Sequence, residues 1–375
     1  MNFVFICPES EETQLTVERR CIAPARAINR TGRYTADIIG WKDFISNTAV
    51  AQNLLVQSDF IIIHRGLWSS ILPRIQHWKA RDKNIIADFV DAYQLMDEDE
   101  LTDFHDLETN SGLTAGKQSN GSPPLLSQFK WTLQSTNGAT TPSQRLSDDW
   151  NAYTRTAVLP DYLDMERLSL ITPTLHDGIN IGWRGTVRQL QALKKGGVMM
   201  ALEAACQMRR NMRVLFSVDH PEAVGGLGLP ADQVDITGWN QASWHQILGK
   251  INIGLAPMIG EAGQRAAQSP ILEYMALQIP WIASQGPAVY DLHSYGWIAE
   301  NTPEGWLKAI IEMADHFSDF RAESAVGPYL FAIGKSLDEN IQTLVDTYVR
   351  LAGSHSTRPI QPVSIETGSD LLVAS

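Results

Sequence analysis

Two short apolar runs with a helical pattern between them constrain this chain most. Ile251 to Ala256 stops at Pro257, Ile279 to Ser284 stops at Gln285-Gly286-Pro287, and the pattern Ile271 to Leu277 lies between them. Runs of about six apolar residues fit strands buried on both faces of a parallel sheet. Parallel neighbours need a crossover, and the intervening polar loop and helix supply one. Ser269 is suited to cap that helix, and Pro270 fits its first position without losing a hydrogen bond. The loop between Pro257 and Gln268 then falls at the carboxyl end of the first strand, where open α/β sheets bind ligands.

The same alternation recurs along the chain. Asn2 to Cys7, Tyr34 to Ile39, Asp59 to Gly66 and Asn84 to Asp88 read as strands, separated by helical patterns over 18–29, 49–57 and 72–81. Further on, Ile179 to Thr186, Met212 to Val218, Val234 to Trp239 and Trp297 to Glu300 read as strands, with helices over 188–195, 199–208, 242–248, 302–317 and 337–351. This order predicts an α/β protein with doubly wound parallel sheets, and 375 residues suffice for two such domains. The expected division is a first domain over 1–160, a linker over 161–178, a second domain over 179–326, a closing helical segment over 327–351 and a disordered tail over 352–375. Residues 97–124 are acidic and then Ser/Gly/Asn-rich, which predicts a mobile surface insertion without its own core.

A formal net charge of −12 argues against nucleic acid as a partner, because neutralising phosphates needs a basic face. A local basic hollow for a diphosphate is compatible with that charge. No run approaches the roughly 18 apolar residues of a membrane span, so no transmembrane segment is expected and only peripheral membrane contact is left open. The start, Phe3-Val4-Phe5-Ile6, reads as a strand and not a signal peptide, since no basic segment or cleavage site accompanies it. Cys7, Cys21 and Cys206 fit a reducing cytoplasm and no metal-ligand spacing.

The stretch SPILEYMALQIPWIAS, Ser269 to Ser284, resembles the signature of retaining, nucleotide-sugar-dependent glycosyltransferases of the GT-B fold, the large "glycosyl transferases group 1" family. That signature reads roughly acid–loop–S/G-x-x-LEAMA-x-G-x-PVVAS. The run GATTPSQRL with YTRTAVLPDYLD is similar to the stretch that closes the family's first domain. The resemblance implies two Rossmann-like domains facing a cleft, with the closing helix crossing back onto the first domain. It implies a nucleotide diphosphate sugar as co-substrate, no permanently bound cofactor, no required metal, and a glycan, lipid or small-molecule acceptor.

Arg184 and Gly185 match the family's Gly-Arg turn around the donor diphosphate, with Lys194 or Lys195 as its displaced lysine. A glycine-flanked arginine ahead of a helix suits an anion on its own chemistry. Gly238 and Trp239 match the turn near the nucleobase; Trp239 and Trp244 are equally core candidates. Glu273 matches the acid that grips ribose, its bland alternative being a carboxylate near a helix N-terminus. Ser269 and Gln264 belong to the loop near the diphosphate and sugar.

The family's other acid, which faces the donor sugar, falls at Arg265, and Glu261 on the same loop is the alternative. His64, after the strongest strand of the first half, is the candidate to orient a hydroxyl, or else a strand-end histidine bonded to backbone. Asp88 and Asp91 are candidates to orient the acceptor, with loop capping the default, and Arg19 and Arg20 to meet an anionic one, with exposed helix arginines the commoner case. Three departures favour a rival, a catalytically inactive GT-B-like binding or scaffold protein: Arg265 for an acid, PESEET for a glycine-rich first turn, and Asp161-Tyr162 for Asn-Gly. A sugar-phosphate epimerase of the same fold is a third reading, disfavoured by the missing paired acids.

Overall fold

The computed structural model describes residues 1–9, 14–109, 123–174, 177–239 and 241–353. The middle of the expected insertion and the tail beyond Gly353 lie outside the described residues. Among the described residues, twelve strands form two sheets. The first holds β1 (Asn2–Cys7), β2 (Thr35–Gly40), β3 (Phe60–His64), β4 (Asn84–Asp88), β5 (Gly138–Thr141) and β6 (Thr156–Val158), in the order β2-β1-β3-β4-β5-β6. The second holds β7 (Ile179–Gly185), β8 (Met212–Val218), β9 (Val234–Gly238), β10 (Ile253–Ala256), β11 (Trp281–Ser284) and β12 (Trp297–Ala299), in the order β12-β11-β10-β7-β8-β9. All neighbouring pairs run parallel.

The strands are short and apolar because helices cover both faces. Ile61, Ile62 and Ile63 are successive residues that point to opposite faces, and all three are fully buried. Strand order reverses between β1 and β3 in the first sheet and between β7 and β10 in the second. At such a reversal the crossovers leave on opposite faces and open a crevice at the carboxyl ends of the two strands. This is the α/β architecture of two Rossmann-like domains known as GT-B.

The linker and the returning chain meet side by side: Leu163 N–H donates to Lys335 O, and Leu337 N–H to Leu163 O, each at 2.9 Å. The helix Leu337–Ala352 then packs Leu344, Val345 and Tyr348 against Phe3, Phe5 and Ala25 of the first lobe. The helix before it, Gly327–Ile333, stays on the second lobe, where Ala332 joins the core around Tyr274. The return therefore begins near Ser336 and not at 327. Asp161 and Tyr162 are both buried, so the crossover is closed by packing and by an arginine contact in place of a tight turn.

The start of the expected insertion differs from its sequence reading. Glu98–Thr109 is a helix with Leu101 and Glu108 buried. Leu101, Phe104, His105 and Glu108 recur at helical spacing, a stripe that the surrounding acids obscure. Glu108 accepts hydrogen bonds from Gly66 N–H and Trp68 Nε1–H, each at 3.0 Å, and from the Tyr93 hydroxyl. Burial pushes its carboxyl up to about 7, against the opposing pull of Arg65 and Tyr93.

Candidate functional site

The two sheet reversals face each other, and the side chains that meet there come from both lobes. After β1 the chain enters a helical run whose middle, Glu18–Ile22, is a π turn flanked by the helices Gln14–Val17 and Ala23–Arg30. Such a turn inserts an extra residue and re-aims the side chains it carries. Arg19 and Arg20 leave it in different directions.

Arg19 crosses to the second lobe. Its Nη1 donates to Ser269 Oγ at 2.9 Å and its Nη2 pairs with Glu273 Oε1. The other oxygen, Glu273 Oε2, accepts from Trp244 Nε1–H at 3.0 Å and lies 3.3 Å from Arg184 Nη1. The Arg184 guanidinium rests 4.5 Å over the Trp244 ring. Arg184 comes from the end of β7 and Glu273 from the first turns of the helix Ser269–Ala276 after β10, so the β7/β10 reversal brings them together. Ser269 does not cap its helix; its hydroxyl serves the cross-lobe bond instead.

Two guanidiniums thus face one carboxylate, and Arg184 and Glu273 side chains are only 6% and 8% exposed. Burial works to raise the Glu273 carboxyl, but Arg184 and Arg19 outweigh it and hold it below its usual range. Burial, and next the Arg19 charge, pull Arg184 down to about 10. Arg184 Nη1 is buried without a hydrogen-bond partner of proper geometry. Uncompensated positive charge here favours an anion. At Gly185, an added Cβ would come within 2.3 Å of the Trp183 ring, so glycine lets that indole pack under the turn.

Arg20 turns inward. It pairs with both oxygens of Asp88, donates to Leu159 O at 2.6 Å and reaches Asp161 Oδ1 at 3.2 Å. Asp88 also accepts from Thr140 Oγ1 at 2.5 Å and from His64 Nδ1 at 2.7 Å. Burial alone would raise the Asp88 carboxyl, yet Arg20 and the His64 hydrogen bond hold it far below its ordinary value. His64 is fully buried, and burial outweighs Asp88 to lower its pKa, leaving a neutral imidazole with Nε2 unpartnered. His64 therefore does not line an open cleft surface. Asp91 pairs with Arg65 at 2.6 Å.

The loop after β10 clasps the first lobe. Arg265 pairs bidentately with Asp149 and reaches Glu261 Oε2 at 2.7 Å, while Arg145 reaches the same Glu261 oxygen at 2.6 Å. Ser143 Oγ donates to Arg265 O at 2.8 Å. Both residues expected at the sugar, Arg265 and Glu261, are thus committed to ion pairs between lobes. Asp149 and Arg145 escaped the sequence reading; their i,i+4 spacing on the helix Gln144–Trp150 was the only local signal.

Lys194 and Lys195 do not join Arg184. Both are exposed in the last turn of Val187–Lys195, roughly 13 Å of helix from its start. Gln264 Nε2 donates to Met258 O at 2.8 Å. Gly238 ends β9 with its carbonyl bonded by Ser243, and Trp239 beside it is half-buried with Nε1 unpartnered. Trp244 is fully buried, a core residue that also orients Glu273. An open groove of about 680 Å³ lies along Arg167, Ile171, His245 and Lys250 and takes in neither Arg184 nor Glu273. Among the described residues, no cluster of His, Cys, Asp and Glu is arranged to hold a metal, and no helix is long and apolar enough to cross a membrane.

Solved structures share this architecture at low identity. A sucrose-phosphate synthase from Thermosynechococcus elongatus gives a TM-score of 0.61 at 12% identity, over 94% of this chain and 100% of that one. A trehalose-6-phosphate synthase, solved in work on glycosyl transfer with retention, gives 0.54 at 11% identity over 93% and 99%. A Listeria monocytogenes protein described as a UDP-N-acetylglucosamine 2-epimerase gives 0.53 at 10% identity over 96% and 98%. No protein-family model and no curated protein matches the sequence. At such identities the likeness establishes the GT-B fold, which transferases and an epimerase share.

Proposed function

We propose that this chain is a retaining glycosyltransferase of the group 1 type, moving a hexosyl residue from a UDP- or GDP-sugar to a glycan, lipid or small acceptor. The observation that carries the reading is the excess cation at the joined sheet reversals, Arg19 and Arg184 against the single carboxylate of Glu273. In this reading the donor diphosphate lies along Arg184 and the first N–H groups of Ser269–Ala276, and Glu273 receives the ribose hydroxyls. Gly238 and Trp239 line the base. As the bond to the sugar breaks, negative charge builds on the departing diphosphate, and guanidiniums already in place stabilise it without reorganising. Those guanidiniums supply the positive field, so the proposal invokes no metal. His64, held by Asp88 and with Nε2 unpartnered, is the group this reading assigns to a hydroxyl.

A second reading, a nucleotide-binding or scaffold protein without transfer activity, is favoured by one arrangement. Arg265 and Glu261 are tied to Asp149 and Arg145, which leaves no free carboxylate on the loop to face a donor sugar. A thermal-unfolding panel with UDP, GDP, ADP and their sugars separates the readings. A ligand at one hundred times its Kd stabilises by about 2.7 kcal/mol, so a flat response across the panel sinks the transferase. Stabilisation by a nucleotide sugar, with no sugar released in the presence of an acceptor mixture, selects the scaffold.

A further inference from the structure

We infer that Arg19 is a resident occupant of the donor site, which holds Glu273 and Ser269 while the cleft is empty and transfers to the donor's diphosphate when ribose takes Glu273. The inference rests on the transferase reading and gives that site a specificity-determining residue.

Three observations carry it. Both Glu273 oxygens are engaged, Oε1 by Arg19 and Oε2 by Trp244 with Arg184 alongside, and the side chain is buried under these partners, so a ribose diol reaches the carboxylate only if one of them leaves. Trp244 is fully buried and Arg184 is wedged over its ring, whereas Arg19 arrives from the opposite lobe and makes both of its hydrogen bonds across the cleft. Arg184 Nη1 meanwhile has no hydrogen bond, so a second anion has a waiting donor.

The exchange has a chemical consequence. When a nucleoside displaces Arg19, that guanidinium loses its carboxylate and no anion takes its place. When a nucleoside diphosphate displaces Arg19, the phosphates take the cation as the ribose takes the acid. The site therefore discriminates by charge balance against nucleosides, and Arg19 is the discriminating group.

Calorimetric titration with UDP and uridine, or GDP and guanosine if the panel selects that base, tests this in the wild type, Arg19→Gln and Arg19→Lys. A hydrogen bond between charged groups is worth about tenfold or more in affinity. In Arg19→Gln the diphosphate is expected to bind about tenfold more weakly and the nucleoside about tenfold more tightly, compressing their ratio roughly a hundredfold. Arg19→Lys is expected to recover most of the ratio. A ratio unchanged in folded Arg19→Gln overturns the inference and leaves the transferase reading standing; no diphosphate binding by the wild type overturns both. Hydrogen exchange on the wild type needs no variant: at a concentration that saturates the diphosphate site, the diphosphate is expected to change protection across Glu18–Ile22, while the nucleoside, failing to displace Arg19, leaves it alone. Equal responses to the two ligands also overturn the inference.

Discussion

Arg19 and Arg20 are consecutive residues on one π turn, and they hold together different parts of the molecule. Arg20 is enclosed: both oxygens of Asp88, the Leu159 carbonyl and Asp161 receive its donors, all within the first lobe and the start of the linker. Arg19 spans the cleft, and its partners Ser269 and Glu273 belong to the second lobe. A buried pair with every lone pair satisfied inside one rigid core has no route to water or to another ligand, so its removal exposes a full desolvation cost. A pair across a cleft can trade its carboxylate for a ligand when the lobes move. Neighbours in sequence are thus divided between structure and exchange by which way one turn aims them.

The largest expected effect breaks that comparison if it fails. Arg20→Ala strands Asp88 in the core and is expected to cost about 3–5 kcal/mol in urea unfolding. Equal losses for Arg19→Ala and Arg20→Ala would erase the distinction.

The next sharpens it within the first lobe, where two buried carboxyls move in opposite directions. Asp88 is held down by Arg20, so its stabilisation is present above the unfolded carboxylate range and lost as pH falls below that range toward the lowered folded value. Glu108 is raised from 4.5 to about 7, so between those values the folded state binds the extra proton and stability declines as pH rises. Between pH 5 and pH 7 the wild type is expected to lose roughly 2 kcal/mol relative to Glu108→Gln, read from paired unfolding curves at those two values.

Arg19→Ala itself is expected to cost about 1–2 kcal/mol, since Arg184 and Trp244 remain on Glu273. A smaller loss, about 1 kcal/mol, is expected for Asp149→Ala, which frees the loop clasp. Its sharper readout is the radius of gyration in solution scattering, expected to rise as the lobes part. The smallest effect belongs to Lys194→Ala with Lys195→Ala. Their stability change should stay within about 0.5 kcal/mol, and nucleotide affinity should change less than twofold. A tenfold loss of affinity would return those lysines to the diphosphate.

Much of the fold was legible because strand burial leaves a mark at each residue. Continuous apolar runs such as Ile61-Ile62-Ile63 can only satisfy both faces of a covered parallel sheet, and their alternation with helical periods dictates the crossovers. Arg184 was legible as a site candidate because it ends a strand beside glycine, where the chemistry is local, and Glu273 because the stretch Ser269 to Ser284 resembles a family signature. The helix Glu98–Thr109 was not, since its acids mask a stripe whose meaning lies in Gly66, Trp68 and Tyr93. Lys194 and Lys195 looked equivalent to a diphosphate lysine until helix geometry carried them to the far end.

By itself, then, the sequence determined two doubly wound sheets, the helices between them and the turns at their carboxyl edges, because periodicity and turn chemistry act over a few residues. Only the tertiary structure decided which charges meet. Arg19 and Glu273 are separated by 254 positions, Arg20 and Asp88 by 68, Arg265 and Asp149 by 116. Coulomb attraction and hydrogen bonding are decided over a few ångströms, and a distance that short between residues so far apart exists only once a lobe has folded or, for the pairs that cross, once the two lobes have met.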